Sequence, residues 1–124
     1  MKLLDTDVLI EHLRGNDAAR TIVTETTNRS EAACSVLTRF ELLAGMRSNE
    51  RHAIRSLLDV LTNLEVTEEI STRAGEWART YRQNHSSISA IDYLIAATAE
   101  VEGADLLTRN VRHFPMFPGL PPAL

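Results

Sequence analysis

This chain of 124 residues has one cysteine, one lysine and no long apolar run, and each of these scarcities excludes a class of protein. Cys34 is the only cysteine, so no internal disulfide can form, and its apolar neighbours indicate a buried thiol in a reducing compartment rather than a nucleophile. No apolar run approaches the roughly 20 residues of a membrane span. Asp5 comes too early for a signal peptide. We therefore expect a cytoplasmic protein that does not enter a membrane.

Lysine and net positive charge are also lacking. Lys2 is the only lysine among 13 basic residues, and the formal net charge is −4. Such a chain does not bind nucleic acid mainly through a broad positive field, although its arginines can contact phosphates and bases locally. With 44% hydrophobic and 24% charged residues, residues 1–124 have the composition of a single globular domain. All four prolines lie after Phe114, which predicts an irregular tail from about residue 115.

The apolar patterning predicts strands that alternate with helices. Short buried strands are predicted at residues 3–4, 32–35, 64–66 and 104–108, and helices at about 8–15, 16–27, 36–47, 50–61, 67–81 and 88–102. Thr6 or Asp7 would cap the first helix, and Gly103 would end the last one. With no repeat and no linker, this alternation predicts one α/β sandwich whose mainly parallel sheet has four or five strands.

Three of the helices carry apolar stripes. In the helix at 36–47 the stripe contains Leu37, Phe40, Leu43 and Ala44. The helices around Leu57 and Trp77 have similar stripes, which either join the core or supply a contact between subunits.

Three acids occur where a folded core should be apolar. Asp5 follows the first strand, Glu41 lies in a leucine-rich helix, and Asp92 lies in an alanine-rich helix. A buried carboxylate needs a partner, and Mg²⁺ prefers oxygen ligands. A cation held there can activate water and stabilise charge on a phosphodiester. Read singly, Asp5 and Asp7 are also ordinary helix caps, and the other two acids are ordinary exposed helix residues; spacing alone does not bring them together.

Four segments carry a family resemblance. LDTDVLI at 4–10, TRFELLAG at 38–45, IDYLIAATA at 91–99 and LTRN at 107–110 resemble, in order, the motifs of PIN-domain ribonucleases. The compact length is similar to that of the VapC toxins of type II toxin–antitoxin systems. The resemblance covers almost the whole chain and implies a PIN-like α/β/α sandwich.

The resemblance also implies a set of site residues. Asp5, Glu41 and Asp92 would be the metal ligands of a Mg²⁺- or Mn²⁺-dependent endoribonuclease, supported by Thr6 and Asp7. Gly45, one helical turn after Glu41, would leave room there. Asn110 stands where many relatives carry a fourth acid, so it would position water or substrate without adding charge.

The implied reaction is hydrolysis of RNA, which inhibits translation and growth until the toxin is neutralised. No residue is typical of a separate general base, and an activated water would leave a 5′-phosphate and a 3′-hydroxyl. Arg109 and Arg112 would grip the RNA backbone. The partner would be a VapB-like antitoxin that binds DNA itself and covers the active site. A homodimer is implied, and with antitoxin a heterotetramer or larger assembly.

Two other functions remain open. Asp5-Thr6-Asp7 after a strand also resembles the start of haloacid-dehalogenase-type phosphatases, but those need a downstream lysine, and none follows Lys2. A degenerate PIN domain that only binds RNA or protein would be consistent with Asn110. His12 and His113 lack metal-ligand spacing and are expected to be structural or at the surface.

Overall fold

The structure, a computed structural model, describes residues 1–124 and contains four strands and six α-helices. The strands are β1 (Lys2–Leu4), β2 (Ala32–Ser35), β3 (Thr62–Leu64) and β4 (Asp105–Leu107). The helices are α1 (Thr6–Leu13), α2 (Asp17–Asn28), α3 (Val36–Gly45), α4 (Arg51–Val60), α5 (Glu68–Tyr81) and α6 (Ala90–Glu102). Single 3₁₀ turns occupy Ser48–Glu50 and Val111–His113. No helix combines the length and apolar character needed to cross a membrane.

All four strands are parallel, in the spatial order β3-β2-β1-β4. The central strand β1 pairs Leu3 with Ala33 on one side and with Leu106 on the other. Every connection between paired strands therefore crosses over through helices, and the carboxyl ends of all strands lie at one edge. The predicted α/β class and mainly parallel sheet are confirmed, with four strands.

The sheet separates two apolar clusters. Leu3 points into the cluster formed with α5, α6 and the tail, which includes Trp77 and Phe114, whereas Leu4 points into the cluster formed with α1 to α4. Both leucines are fully buried, as expected of a parallel strand covered on both faces. Cys34 is also buried, and burial raises the pKa of its thiol to about 11, so it is the inert thiol that the sequence predicts.

Several details differ from the sequence-based expectations. The cap of α1 is Asp5, not Thr6 or Asp7. Strand β3 begins at Thr62, two residues before the predicted start. Leu57 and Trp77, at the centres of the other two apolar stripes, are buried at 6% and 7% exposure and belong to the core of the chain.

The buried face of α3 also differs from the apolar stripe. Phe40 is 63% exposed and Ala44 is exposed, whereas Thr38 and Leu42, one turn apart, are buried. Ser35 ends β2 and caps α3, so the strand fixes which face of the helix turns inward. Thr38 can be buried without an unpaired hydroxyl, because this group is hydrogen-bonded to the hydroxyl of Thr6.

Candidate active site

The first acid lies at the carboxyl end of the central strand. Asp5 follows β1 and is only 6% exposed. Its Oδ1 accepts a hydrogen bond from the Thr6 backbone N–H at 2.9 Å, which caps α1. Its Oδ2 accepts one from the Thr108 hydroxyl at 2.8 Å, so the end of β4 also holds it. The helix-cap and site interpretations of Asp5 are thus compatible, because one carboxylate does both.

The second acid is joined to the first through a threonine. The Thr6 hydroxyl donates to Glu41 Oε1 at 2.7 Å, and the buried Thr38 hydroxyl lies 3.0 Å from Thr6 Oγ1, where it can donate in turn. Because α3 starts directly after β2, Glu41 is carried to the same sheet edge as Asp5. Glu41 is half-buried and retains a free Oε2.

The third acid stands in the first turn of α6. Asp92 forms a capping box with Ser89: Asp92 Oδ2 accepts from the Ser89 N–H at 3.0 Å, and Ser89 Oγ accepts from the Asp92 N–H at 3.2 Å. His113 Nδ1 lies 3.2 Å from the same Oδ2. His113, expected to be structural or at the surface, is therefore a direct neighbour of a candidate ligand, and it leaves Oδ1 of Asp92 free.

The loop after β4 is fastened by Asp7. Asp7 Oδ2 accepts hydrogen bonds from the backbone N–H groups of Arg109 at 3.1 Å and Asn110 at 3.2 Å, and the Thr108 hydroxyl lies 3.4 Å away. The structure thus places Asn110 beside the acids through its backbone, while its side chain is exposed and makes no hydrogen bond within the chain. Asp7 Oδ1 is buried without a partner.

Two of the arginines near this loop share one carboxylate. Glu11 Oε1 accepts from Arg109 Nη1 at 3.0 Å and from Arg14 Nη1 at 3.3 Å, and the Glu11 side chain is 17% exposed. Arg112 is exposed and forms no ion pair. Both arginines of the predicted RNA contact therefore stand in or beside the loop, one fixed and one free.

The electrostatics of the cluster disfavour its negative charge. Burial and the neighbouring Asp7 charge raise the pKa of Asp5 to about 7, and Asp92 acts in the same direction, against the hydrogen bonds from Thr108 and Thr6. Burial also raises the pKa of Asp7, opposed by its backbone hydrogen bonds. Neither acid has a protein cation in contact.

These observations bear on whether a divalent cation suits the site. The available donors are carboxylate oxygens, which hard cations such as Mg²⁺ prefer, and the negative charge at Asp5 and Asp7 lacks a counter-ion. No three acidic, histidine or cysteine side chains stand close enough together to hold an ion unaided. A cation that retains several waters, as Mg²⁺ commonly does, fits such an open set.

Sequence reasoning missed four residues of the site. Thr108, Thr38, His113 and Glu11 contact Asp5, Thr6, Asp92 and Arg109, respectively. Thr108 follows a strand end as Asp5 does, a signal that was available in the sequence. His113 and Glu11 meet their partners only in the tertiary fold, so no spacing in the sequence predicts these contacts.

The chain is similar in sequence and in fold to proteins of known family. The family model of the PIN domain matches residues 2–117. Ribonuclease VapC19 of Mycobacterium tuberculosis is 51% identical over 123 residues, which cover 98% of each chain. DNA-bound VapBC from Salmonella typhimurium has a similar fold, with a TM-score of 0.81 at 22% identity, covering 96% of this chain and 93% of that one. VapBC-1 from nontypeable Haemophilus influenzae has a TM-score of 0.73 at 27% identity, covering 91% and 89%. The chain therefore belongs to the PIN-domain family and, within it, to the VapC-like proteins.

Proposed function

We propose that this chain is a Mg²⁺- or Mn²⁺-dependent endoribonuclease that acts as the toxin of a VapBC-type pair and inhibits translation. The observation that carries the proposal is the buried Asp5, which Thr6 and Thr108 fix at the sheet edge beside Asp7, with a pKa of about 7 and no protein counter-ion. VapC-like family membership supplies the reaction class.

Three acids would share one task in this proposal, and a fourth would order the neighbouring loop. Asp5, Glu41 and Asp92 would hold the cation, each oriented by a hydrogen bond from the chain: Thr6 and Thr108 on Asp5, Thr6 on Glu41, and Ser89 with His113 on Asp92. When bound, the divalent cation supplies a Lewis acid that activates water and offsets charge on the phosphodiester. Asp7 keeps the loop that carries Asn110 against the site, and Arg109 and Arg112 contact the RNA backbone.

The test is cleavage of RNA by the purified chain with Mg²⁺, with Mn²⁺ and with a chelator. We expect cleavage only with metal, leaving a 5′-phosphate and a 3′-hydroxyl. Asp5→Asn, Glu41→Gln and Asp92→Asn should each lower the rate more than about 100-fold, since even outer-shell changes at metal sites cost 10–100-fold. Asp105→Asn is the matched control, because Asp105 is an exposed acid at the opposite sheet edge, paired with Lys2.

The competing function is a PIN-like module that binds RNA or protein without cutting it. The Asn110 side chain, which brings no charge, is the feature that favours it. If calorimetry detects no Mg²⁺ or Mn²⁺ binding and Asp5→Asn leaves RNA cleavage unchanged, the nuclease site is wrong and the binding module replaces it.

A toxin of this kind needs a neutralising partner, and we propose a VapB-like antitoxin. Solved structures that share this fold are VapBC complexes, which supports this partner and an oligomeric assembly. Homodimers, and heterotetramers or larger assemblies with antitoxin, are the expected forms. Co-expression with the product of an adjacent short reading frame should yield a co-purifying complex in which RNA cleavage is suppressed; light scattering that reports only monomer with and without partner would contradict the assembly.

A further inference from the structure

A pocket of about 360 Å³ opens directly beside the candidate active site. Its walls are the end of α1, the second half of α3, the segment that leads into α4 and the first turn of α4. The volume lies within the range of about 300–1,000 Å³ that is typical of small-molecule sites. Half of its lining is apolar: Ile10, Leu13, Leu42, Met46 and Ile54.

The polar half of the lining balances its charges. Arg14 and Arg47 contribute two guanidinium groups, and Glu41 and Glu50 contribute two carboxylates. Glu50 Oε1 accepts the Arg47 backbone N–H at 2.8 Å, so the segment before α4 has a defined shape. The two carboxylates oppose a phosphate group. Apolar faces combined with both donors and acceptors instead match a nucleobase, which offers a flat ring and a hydrogen-bonding edge.

The pocket shares a residue with the candidate active site. Glu41 belongs to both, because its Oε1 accepts the hydroxyl of Thr6, whose backbone N–H binds Asp5, while the same residue forms part of the pocket wall. Glu11 joins Arg14 of the pocket to Arg109 of the loop after β4. A chain of RNA whose phosphodiester lies at the acids would therefore place a neighbouring nucleotide beside Arg14 and Glu41.

Resting on the proposed ribonuclease function, we infer that this pocket binds one unstacked base of the RNA substrate, next to the cleaved phosphodiester. The substrate is then single-stranded at that nucleotide, as sequence-selective RNA recognition generally requires. Arg47, exposed at the rim, contacts the base, and Arg14 contacts the backbone beside it.

Gly45 provides the means of filling the pocket. It lines the cavity, and a Cβ at this position would meet no atom within 4 Å, so Gly45→Met adds a side chain where there is open space. Gly75 is the matched control, because it is also an exposed helical glycine with no atom within 4 Å of an added Cβ, and it lies on α5 outside the pocket. Arg47→Ala is a second variant that leaves the backbone contact to Glu50 in place.

The experiment measures kcat/KM on a short RNA that the wild-type chain cleaves, with one ribonucleotide at a time replaced by an abasic one. We expect a loss of about 10- to 100-fold at one position beside the cleaved bond, the scale of a single base contact. Gly45→Met and Arg47→Ala should lower kcat/KM on intact RNA and leave it unchanged on the RNA that is abasic at that position. Gly75→Met should cleave both RNAs as the wild type does, and thermal unfolding should report folded chains throughout.

The outcomes separate the two levels of the proposal. Cleavage with a flat abasic profile overturns the base pocket alone, and so does an equal loss on intact and abasic RNA in Gly45→Met. A variant that keeps the wild-type RNA profile but escapes neutralisation by its antitoxin shows that a peptide occupies the pocket, which also overturns the inference. Failure of the wild-type chain to cleave any RNA overturns the proposed function itself.

Discussion

The three candidate ligands differ in how many carboxylate oxygens the chain already occupies. Both oxygens of Asp5 accept hydrogen bonds, from Thr6 and Thr108, whereas Glu41 and Asp92 each keep one oxygen free of the chain. Asp5 is therefore the most firmly oriented acid and the least solvated. Preorganisation of this kind reduces the cost of assembling a site when its ligand arrives.

The metal-free chain should become less stable as pH rises, because of Asp5. Its native pKa of about 7 exceeds the ordinary 3.8, so the folded state holds this proton more tightly than the unfolded state. Between about pH 4 and 7 the free energy of unfolding should fall as pH rises, and the contribution of Asp5 should be constant above that range. Relative to wild type, the free energy of unfolding of Asp5→Asn should rise by up to about 4 kcal/mol from pH 4 to pH 8.

Denaturant unfolding in the presence of a chelator measures this difference. Asp105→Asn is the control, because Lys2 holds the pKa of Asp105 below its ordinary value of 3.8. Asp105 is therefore ionised in both the folded and the unfolded chain above about pH 4, and the difference between this variant and wild type should not change from pH 4 to pH 8. A difference between Asp5→Asn and wild type that does not change with pH would show that Asp5 titrates normally in the folded chain.

His113 should act as a positioning residue for Asp92. His113 Nδ1 lies 3.2 Å from Oδ2 of Asp92, which also accepts the Ser89 N–H. These contacts hold the carboxylate in one orientation and leave its Oδ1 available to a cation. We expect His113→Ala to lower kcat for RNA about 10–100-fold and to weaken Mn²⁺ binding. His113→Asn, whose amide nitrogen can occupy the Nδ1 position, should restore most of both. Equal losses in the two variants would show that the ring only fills space.

At the scale of elements, the sequence predicts what local patterning encodes. The six helices and four strands all overlap the segments that periodicity and buried runs indicate, although β3 starts two residues earlier. Helix α6 ends at Gly103 as predicted, with a φ of +64°. The inward face of α3 was not predictable from its apolar residues, because Phe40 is exposed and Thr38 is buried. That face is set by the strand before the helix and by the hydroxyl of Thr6 on another element, neither of which is local.

The loop after β4 should depend on Asp7 for its order. Asp7→Ala removes the acceptor of the Arg109 and Asn110 backbone N–H groups. Hydrogen exchange of these two amides should accelerate at least about 5-fold, since a hydrogen bond to a charged group contributes about 1.5–3 kcal/mol. Asp17→Ala is the matched control, because it removes a first-turn acid from α2 without touching the loop. Unchanged exchange at residues 109 and 110 would assign the order of the loop to Thr108 alone.

At the scale of the whole molecule, the two clusters on either side of the sheet support different parts of the site. The cluster around Leu4 positions α1 and α3, which carry Asp5, Glu41 and the base pocket. The cluster around Leu3 positions α6 and its Asp92. The site therefore exists only where both layers meet the sheet edge. Because the net charge is −4, recognition of RNA is left to a few local arginines, of which Arg109 is held by Glu11.

Phe114, which directly precedes the proline-rich tail, should anchor this end of the chain to the second layer. Phe114 is 1% exposed in the cluster around Leu3, and the Phe117 ring meets Trp77 edge-on with centroids 5.7 Å apart. Phe114→Ala should lower the free energy of unfolding by about 3–5 kcal/mol, the usual cost of such a core truncation. Phe40→Ala, which truncates the same side chain at 63% exposure, should change it by no more than about 0.5 kcal/mol. Denaturant unfolding of both variants at low protein concentration tests this prediction: equal losses of the free energy of unfolding would mean that Phe114 packs no more firmly than Phe40 on the exposed face of α3.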